Sequence, residues 1–223
     1  MALILNIDTS METAGVCLSK EGSTLALLEN NRQKDHSSWL HPAIRQLLEE
    51  TGYRIQDVQA VAITAGPGSY TGLRVGMAAA KGLCYAMDIP LIAENTLKVM
   101  AFAAREQRLG DDLLCPMIDA RRLEVFTAVY QHDLTPLLPA TAMIIDENSL
   151  SEYLLNRQVS FFGDGSYKCK QLITAPNAAF ADLSFHVGYL GILSFLRYLQ
   201  CEFTAVAYCE PVYTKEFYTH TKK

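Results

Sequence analysis

The sequence lacks a surplus of positive charge. Against 24 Asp and Glu stand 19 Lys and Arg, a formal net charge of −5 in 223 residues. A nucleic-acid-binding face draws its affinity from cations that release counterions, so the chain is a poor candidate for holding RNA or DNA alone. An acidic subunit of an RNA-modifying assembly stays open. The six cysteines, Cys17, Cys84, Cys115, Cys169, Cys201 and Cys209, form no C-x-x-C pair. That removes the paired spacing of a structural zinc site, and most of them sit in or beside apolar runs, as buried reduced thiols do. His36 and His41 are five apart, on different faces of a helix, and His132, His186 and His220 are isolated. No metal set, nucleophile elbow or triad can be built. No stretch reaches the roughly 20 apolar residues of a membrane span; residues 187–199 contain Ser194 and Arg197 and read as a core helix. The opening MALILNIDTS has no basic leader and is broken by Asn6 and Asp8. It reads as a first strand rather than a signal peptide, with the cytoplasm as the expected compartment.

What is present is a globular composition, half hydrophobic, long enough for one large or two small domains. Strands are expected at residues 3–7, 13–19 and 24–28, an antiparallel meander. A helix at 36–51 carries Leu40, Ile44, Leu47 and Leu48 on one face and stops at Gly52. Then come a strand at 59–64, a helix at 70–86, a strand at 91–93 and a helix to about residue 108, capped by Asn95 or Thr96. Strands at 113–118 and 124–130 begin the pattern again: Asn6-Ile7-Asp8 before one hairpin matches Met117-Ile118-Asp119 before another, a short match that points to two related lobes. Residues 135–139 read as a loop, 146–155 as a helix, 159–163 as a strand and 181–200 as the longest helix. The expected division is 1–108, 109–206 and a tail, 207–223, extended on the body or on a partner. The fold class is α/β, with mixed sheets flanked by helices.

The stretch Thr64-Ala65-Gly66-Pro67-Gly68-Ser69-Tyr70-Thr71-Gly72-Leu73-Arg74-Val75-Gly76 joins a strand to a helix. It is neither a Walker loop, because Leu73-Arg74 stands where Lys and Ser or Thr are needed, nor a Rossmann fingerprint, because Gly66-x-Gly68-x-x-x-Gly72 is one residue too long. One reading is a tight turn that lets the helix start close to the sheet, capped by Ser69 or Thr71; the other is an anion site at the helix start, with Asp8, Thr9, Gly66, Gly68 and Ser69 as contacts. Asp8, at the end of the first strand, orients a metal–phosphate or a water in the functional reading and caps a turn in the plain one. Asp119 holds the matching place in the second half, followed by Arg121 and Arg122. Within the helix, Gly72, Gly76 and Ala80 recur at i, i+4 and i+8. Glycine there costs about 1 kcal/mol against alanine, so something packs closely on this ridge, either the chain's own sheet or a partner. The candidate interface is Tyr70, Gly72, Leu73, Arg74, Gly76, Met77 and Ala80.

These segments resemble the TsaB/YeaZ family: Ile4-Leu5-Asn6-Ile7-Asp8-Thr9-Ser10, His36-Ser37-Ser38 with Leu40 and Pro42, the glycine loop running into Ala80-Lys81-Gly82-Leu83, Ile118-Asp119-Ala120-Arg121-Arg122-Leu123-Glu124-Val125, and more weakly Gly163-Asp164-Gly165 and Glu210-Pro211-Val212-Tyr213. The resemblance implies an actin-like, Hsp70-like and sugar-kinase-like (ASKHA) fold. It implies a non-catalytic scaffold and activator of TsaD, the enzyme that transfers threonylcarbamoyl to adenosine 37 of tRNAs reading codons that start with A. TsaD carries an H-x-x-x-H metal pair, which this chain lacks. The resemblance also implies that the ATPase TsaE joins the complex, that ATP and Mg are used by the complex with no cofactor for this chain alone, and that tRNA is held mainly by the partners. The family's homodimer and heterodimer share the helix after the loop. The competing expectation is an ASKHA-type phosphotransferase or a glycoprotease-like hydrolase.

Overall fold

In the computed structural model, which describes residues 2–32, 35–110 and 112–215, strands β1 (Leu3–Asp8), β2 (Ala14–Lys20) and β3 (Ser23–Asn30) form the expected antiparallel meander. The chain then alternates: α1 (His36–Thr51), β4 (Ala60–Gly66), α2 (Tyr70–Met87), β5 (Leu91–Asn95) and α3 (Thr96–Glu106). β4 lies parallel to β1 and β5 parallel to β4, giving a sheet of order β3-β2-β1-β4-β5. β1 and β4 are buried along their whole length, which their near-continuous apolar runs require of strands covered on both faces.

The second half repeats this plan. β6 (Leu113–Asp119), β7 (Glu124–Gln131) and β8 (Pro136–Ile144) form a meander, and β9 (Val159–Phe162) and β10 (Ala178–Phe180) add parallel strands. The order β10-β9-β6-β7-β8 has the same connectivity as the first sheet, read outward from the central strand. β1 and β6 both end on an aspartate. The short sequence match is thus the visible part of a duplicated topology.

Between the sheets lies α3. Its Val99 and Phe102 join the first lobe's core, while Leu97, Met100, Ala101 and Ala104 pack with Leu114, Ile118, Ala128 and Phe162 of the second. Asn95 caps it, its Oδ1 accepting from the backbone N–H of Leu97 and Lys98.

Four expectations are corrected. Of residues 135–139, expected as a loop, 136–139 are part of β8; Pro136 and Pro139 suggested a break, yet β8 is an edge strand, where proline is tolerated. Residues 146–155 contain only the short α4 (Ser151–Leu154), because Leu150 takes a left-handed conformation, φ 61°, at its start. A further single turn, α5 (Ser166–Cys169), follows β9. The last helix, α6 (Gly188–Leu199), begins seven residues later than expected. Residues 181–187 instead run without helix from β10 in the second sheet to the first, held by the Gln107 side chain on both backbone groups of Ser184. Placing 188–199 in the second lobe was therefore wrong: α6 covers the first sheet, where Val187, Leu190 and Leu193 join the core of Ile4, Cys17 and Ala62. A buried polar link fixes it, since Ser194 Oγ donates to Asn6 Oδ1 at 2.7 Å while Asn6 Nδ2 donates to Ser19 Oγ at 2.8 Å.

Residues 204–212 also pack on the first lobe. Thr204 bridges to Leu91, Lys81 of α2 donates to the carbonyls of Ala207 and Cys209, and Val212 N–H donates to Ala65 O at 2.7 Å. Asp111 of the expected boundary, and residues 216–223 of the tail, lie outside the described residues.

Candidate functional site

The glycine loop is closed by the chain's own turn. After β4 comes a cis Gly66–Pro67 peptide. Ser69 N–H then donates to Ser10 O at 2.6 Å, and Ser69 Oγ caps α2 by accepting from Gly72 N–H. The turn between β1 and β2 presses on the start of α2: Thr9 Oγ1 donates to Gly72 O at 2.7 Å. A Cβ on Gly68 would overlap the Ser10 carbonyl, one on Gly72 the Thr9 carbonyl, and one on Gly76 the Thr9 hydroxyl and the Ile63 side chain. Gly66 is required differently: its φ is +117°, and Val212 O occupies the space of a side chain.

Asp8 is consumed in the same contact. Its Oδ1 accepts from Ser10 N–H (2.9 Å), Ser10 Oγ (2.6 Å) and Thr64 Oγ1 (2.7 Å), and Asp8, Thr9, Ser10 and Thr64 are all buried. Three internal donors thus engage one oxygen of this carboxylate. Of the five expected anion contacts, Asp8, Thr9 and Gly66 are buried, and Gly68 and Ser69 are half-buried against Ser10. The polar groups meet, but they satisfy one another.

The expected interface divides. Gly72, Leu73, Gly76, Met77 and Ala80 are buried in their own lobe; the ridge was a real signal of close packing, but what packs there is Thr9 and Ile63. Tyr70 and Arg74 are exposed on the outer side. Arg74 Nη1 donates to Tyr70 Oη at 2.5 Å, and its guanidinium lies 5.3 Å from the Tyr70 ring centroid. The residues that continue their face are Ala78, Gly82, Tyr85 and Ala86, all exposed, with Tyr85 at 86%. Ala78, Gly82 and Ala86 form a second i, i+4, i+8 line of small residues. A Cβ on Gly82 would meet nothing within 4 Å, so nothing inside the described chain requires glycine there.

In the second lobe, Asp119 accepts from Arg121 N–H (2.6 Å) and from Lys168 Nζ (2.5 Å), and its own N–H donates to Asp164 Oδ1. Lys168 also donates to the carbonyls of Arg122 and Glu124, so one ammonium pins the hairpin tip. Burial works to raise the Asp119 carboxyl, but the lysine and the backbone donor outweigh it and hold it below the usual range. Burial pushes the Asp164 carboxyl up. Arg121 and Arg122 both take left-handed conformations, φ 73° and 52°. Facing this tip across a cleft of about 780 Å³ are Tyr70 and Tyr213, with ring centroids 5.1 Å apart. Lys215, beside Tyr213, forms an ion pair with Glu124 across the cleft.

Two duplicated mixed sheets with α3 between them, and the aspartate-ended central strands, define an ASKHA-class chain. The model of the family described as "TsaD: tRNA N6-adenosine threonylcarbamoyltransferase" matches residues 29–190. The chain is 35% identical over 176 residues to the tRNA threonylcarbamoyladenosine biosynthesis protein TsaB of Bacillus subtilis, covering 76% of this chain and 74% of that one. It is 36% identical over 130 residues to the Escherichia coli protein of the same name, covering 58% and 55%. A crystal structure described as an uncharacterized protein with similarity to peptidase YEAZ, from Pseudomonas aeruginosa, superposes with a TM-score of 0.83 at 26% identity, covering 96% of this chain and all of that one. The chain belongs to the TsaB family.

Proposed function

We propose that the chain is a non-catalytic scaffold that docks on the catalytic threonylcarbamoyltransferase subunit TsaD through the outer face of α2 and so activates threonylcarbamoyladenosine formation at position 37 of tRNA. The observation that carries this reading is Gly82. An exposed glycine in the middle of a helix costs about 1 kcal/mol, and here no internal neighbour explains it. Close approach of another chain along Ala78, Gly82 and Ala86 does, with Tyr85 as an aromatic anchor of the kind that dominates interface energetics and Tyr70 and Arg74 at the rim. The match of a TsaD family model to most of the chain supports pairing of two related subunits. Because a second copy of this chain offers the same face, self-association and docking on TsaD compete.

The sealed state of Asp8 and Thr9 supports a subunit without phosphotransfer of its own. ATP and Mg are then used by the complex, with TsaE as a further partner and the cytoplasm as the compartment. Among the described residues no helix is long and apolar enough to cross a membrane.

The test is size-exclusion co-elution of TsaD with the wild-type chain and with Gly82→Leu. The variant is expected to fold and to elute alone. Co-elution undiminished in Gly82→Leu and in Tyr85→Asp would remove α2 from the interface.

A further inference from the structure

We infer that residues 209–215 form a strap that clasps the two lobes across the cleft and competes with a docked partner for Tyr70, so that seating of the strap and docking on α2 oppose one another. The identity of the docked partner rests on the scaffold reading; the strap rests on this chain's own contacts.

The strap starts on α2. Cys209 is buried, its Sγ lies 3.6 Å from Met77 Sδ, and its carbonyl accepts from Lys81 Nζ at 2.9 Å. It next crosses the glycine loop, where Val212 N–H donates to Ala65 O at 2.7 Å. The loop has room for it only because residue 66 is glycine. A Cβ there would stand 2.6 Å from Val212 O, and the φ of +117° is one that side chains disfavour. Tyr213 then lies against Tyr70, with ring centroids 5.1 Å apart. Lys215 reaches the second lobe and pairs with Glu124, the first residue of β7. In succession the segment touches α2, the loop after β4 and the hairpin of the other lobe.

The seat is specific but shallow. Val212 and Tyr213 are 45% and 46% exposed. The Lys215–Glu124 pair is partly exposed, so it contributes little and is screened by salt. Thr214 Oγ1 is buried without a hydrogen-bond partner among the described residues, which opposes seating. Segments with few buried apolar contacts open at free energies far below that of global unfolding. A fixed address held by weak contacts is what an order–disorder switch requires.

Tyr70 ties this segment to docking. Its ring takes Tyr213 and also the Arg74 guanidinium, 5.3 Å from its centroid, while Arg74 Nη1 donates to its hydroxyl at 2.5 Å. Tyr70 and Arg74 are the rim of the face formed by Ala78, Gly82 and Tyr85. A chain seated on that face and reaching its rim meets Tyr213, half in solvent beside Tyr70. The effect is reciprocal: the factor by which the strap lowers partner affinity is the factor by which the partner lowers strap occupancy.

The experiment reads hydrogen exchange of the Val212 amide by NMR, in the chain alone and with TsaD, together with TsaD affinity. In the chain alone, Tyr213→Ala should speed Val212 exchange roughly two- to tenfold, the factor carried by an aromatic pair. Lys215→Met should speed it less. Adding TsaD to the wild-type chain should speed the same amide, and adding it to Gly82→Leu, which does not dock, should leave it unchanged. Tyr213→Ala should bind TsaD roughly two- to tenfold more tightly than wild type. Val212 exchange that is unchanged in Tyr213→Ala, or slowed by TsaD, overturns the inference. So does TsaD affinity that is unchanged or weakened in Tyr213→Ala, the latter making Tyr213 a partner contact. If the wild-type chain fails to bind TsaD, it is the scaffold reading that falls, and the exchange of Tyr213→Ala alone still decides the strap.

Discussion

Substituting Gly76 and Gly82 by alanine, one at a time, separates the two small-residue lines of α2. They lie in the same helix, six residues apart, and intrinsic propensity favours alanine by about 1 kcal/mol at each. At Gly76 the new methyl overlaps the Thr9 hydroxyl and Ile63. Overpacking of this kind costs about 1–3 kcal/mol, and displacing Thr9 breaks its bond to Gly72 O, worth about 1 kcal/mol more. The net is a loss of about 2 kcal/mol, or about 4–8 °C in melting temperature for a chain of this length. At Gly82 the methyl meets nothing, so the propensity gain stands alone, a rise of about 2–4 °C. The assay is thermal unfolding followed by circular dichroism, at protein concentrations low enough to keep the chain monomeric, because self-association would add its own stabilisation. A melting temperature that rises in Gly76→Ala, or falls in Gly82→Ala, would refute the assignment of inner and outer faces.

Other outcomes follow from the same contacts. Asp8→Ala strands Thr64 Oγ1 and the two Ser10 donors in a buried site, and should cost about 3 kcal/mol in urea unfolding without changing any affinity for ATP. Ser194→Ala leaves Asn6 Oδ1 short of a donor under α6 and should cost about 1–3 kcal/mol. For Asp164, burial raises the folded-state pKa, so ionising it opposes folding as pH rises above the unfolded value of about 3.9. Asp164→Asn keeps the acceptor for Asp119 N–H and should gain stability relative to wild type as pH rises above about 4. Asp119 works in the opposite sense: its lowered folded-state pKa contributes stability above about pH 4 that is lost as pH falls, and Lys168→Met should flatten that acid limb. Among the thiols, burial pushes Cys17, Cys84 and Cys169 to about 11 and Cys115 to about 12, whereas Cys201 is exposed. Cys209 is buried and raised as well, so one thiol of the native protein should react with Ellman's reagent at pH 8, and six after unfolding.

The duplicated architecture was legible because its signals are local. Apolar runs ending in Asp8 and Asp119, the stop at Gly52 and the caps at Ser69 and Asn95 each act within a few residues. Where the reading failed, a distant partner decided. Pro136 and Pro139 look like breakers until β8 is known to be an edge strand. The apolar stretch from residue 181 looks helical until its first seven residues have to cross from one sheet to the other. The site failed in the same way. Gly72 and Gly76 announce a close neighbour without saying which, and only the placement of Thr9 shows that it is internal. Asp8 reads equally as a metal–phosphate contact or a turn cap until Thr64, 56 residues away, is seen to donate to it. Gly82 is the reverse case, since only the open space around it shows that no internal neighbour requires glycine there.

The central claim is tested most directly by reconstituted tRNA modification. TsaD, TsaE and the enzyme that makes the threonylcarbamoyl-adenylate are mixed with tRNA, ATP and Mg, and threonylcarbamoyladenosine is quantified with wild-type chain, with Gly82→Leu and with no chain. Formation that depends on the wild-type chain and falls to the no-chain level with Gly82→Leu is the result expected of a scaffold acting through the outer face of α2. Equal formation in all three would contradict it.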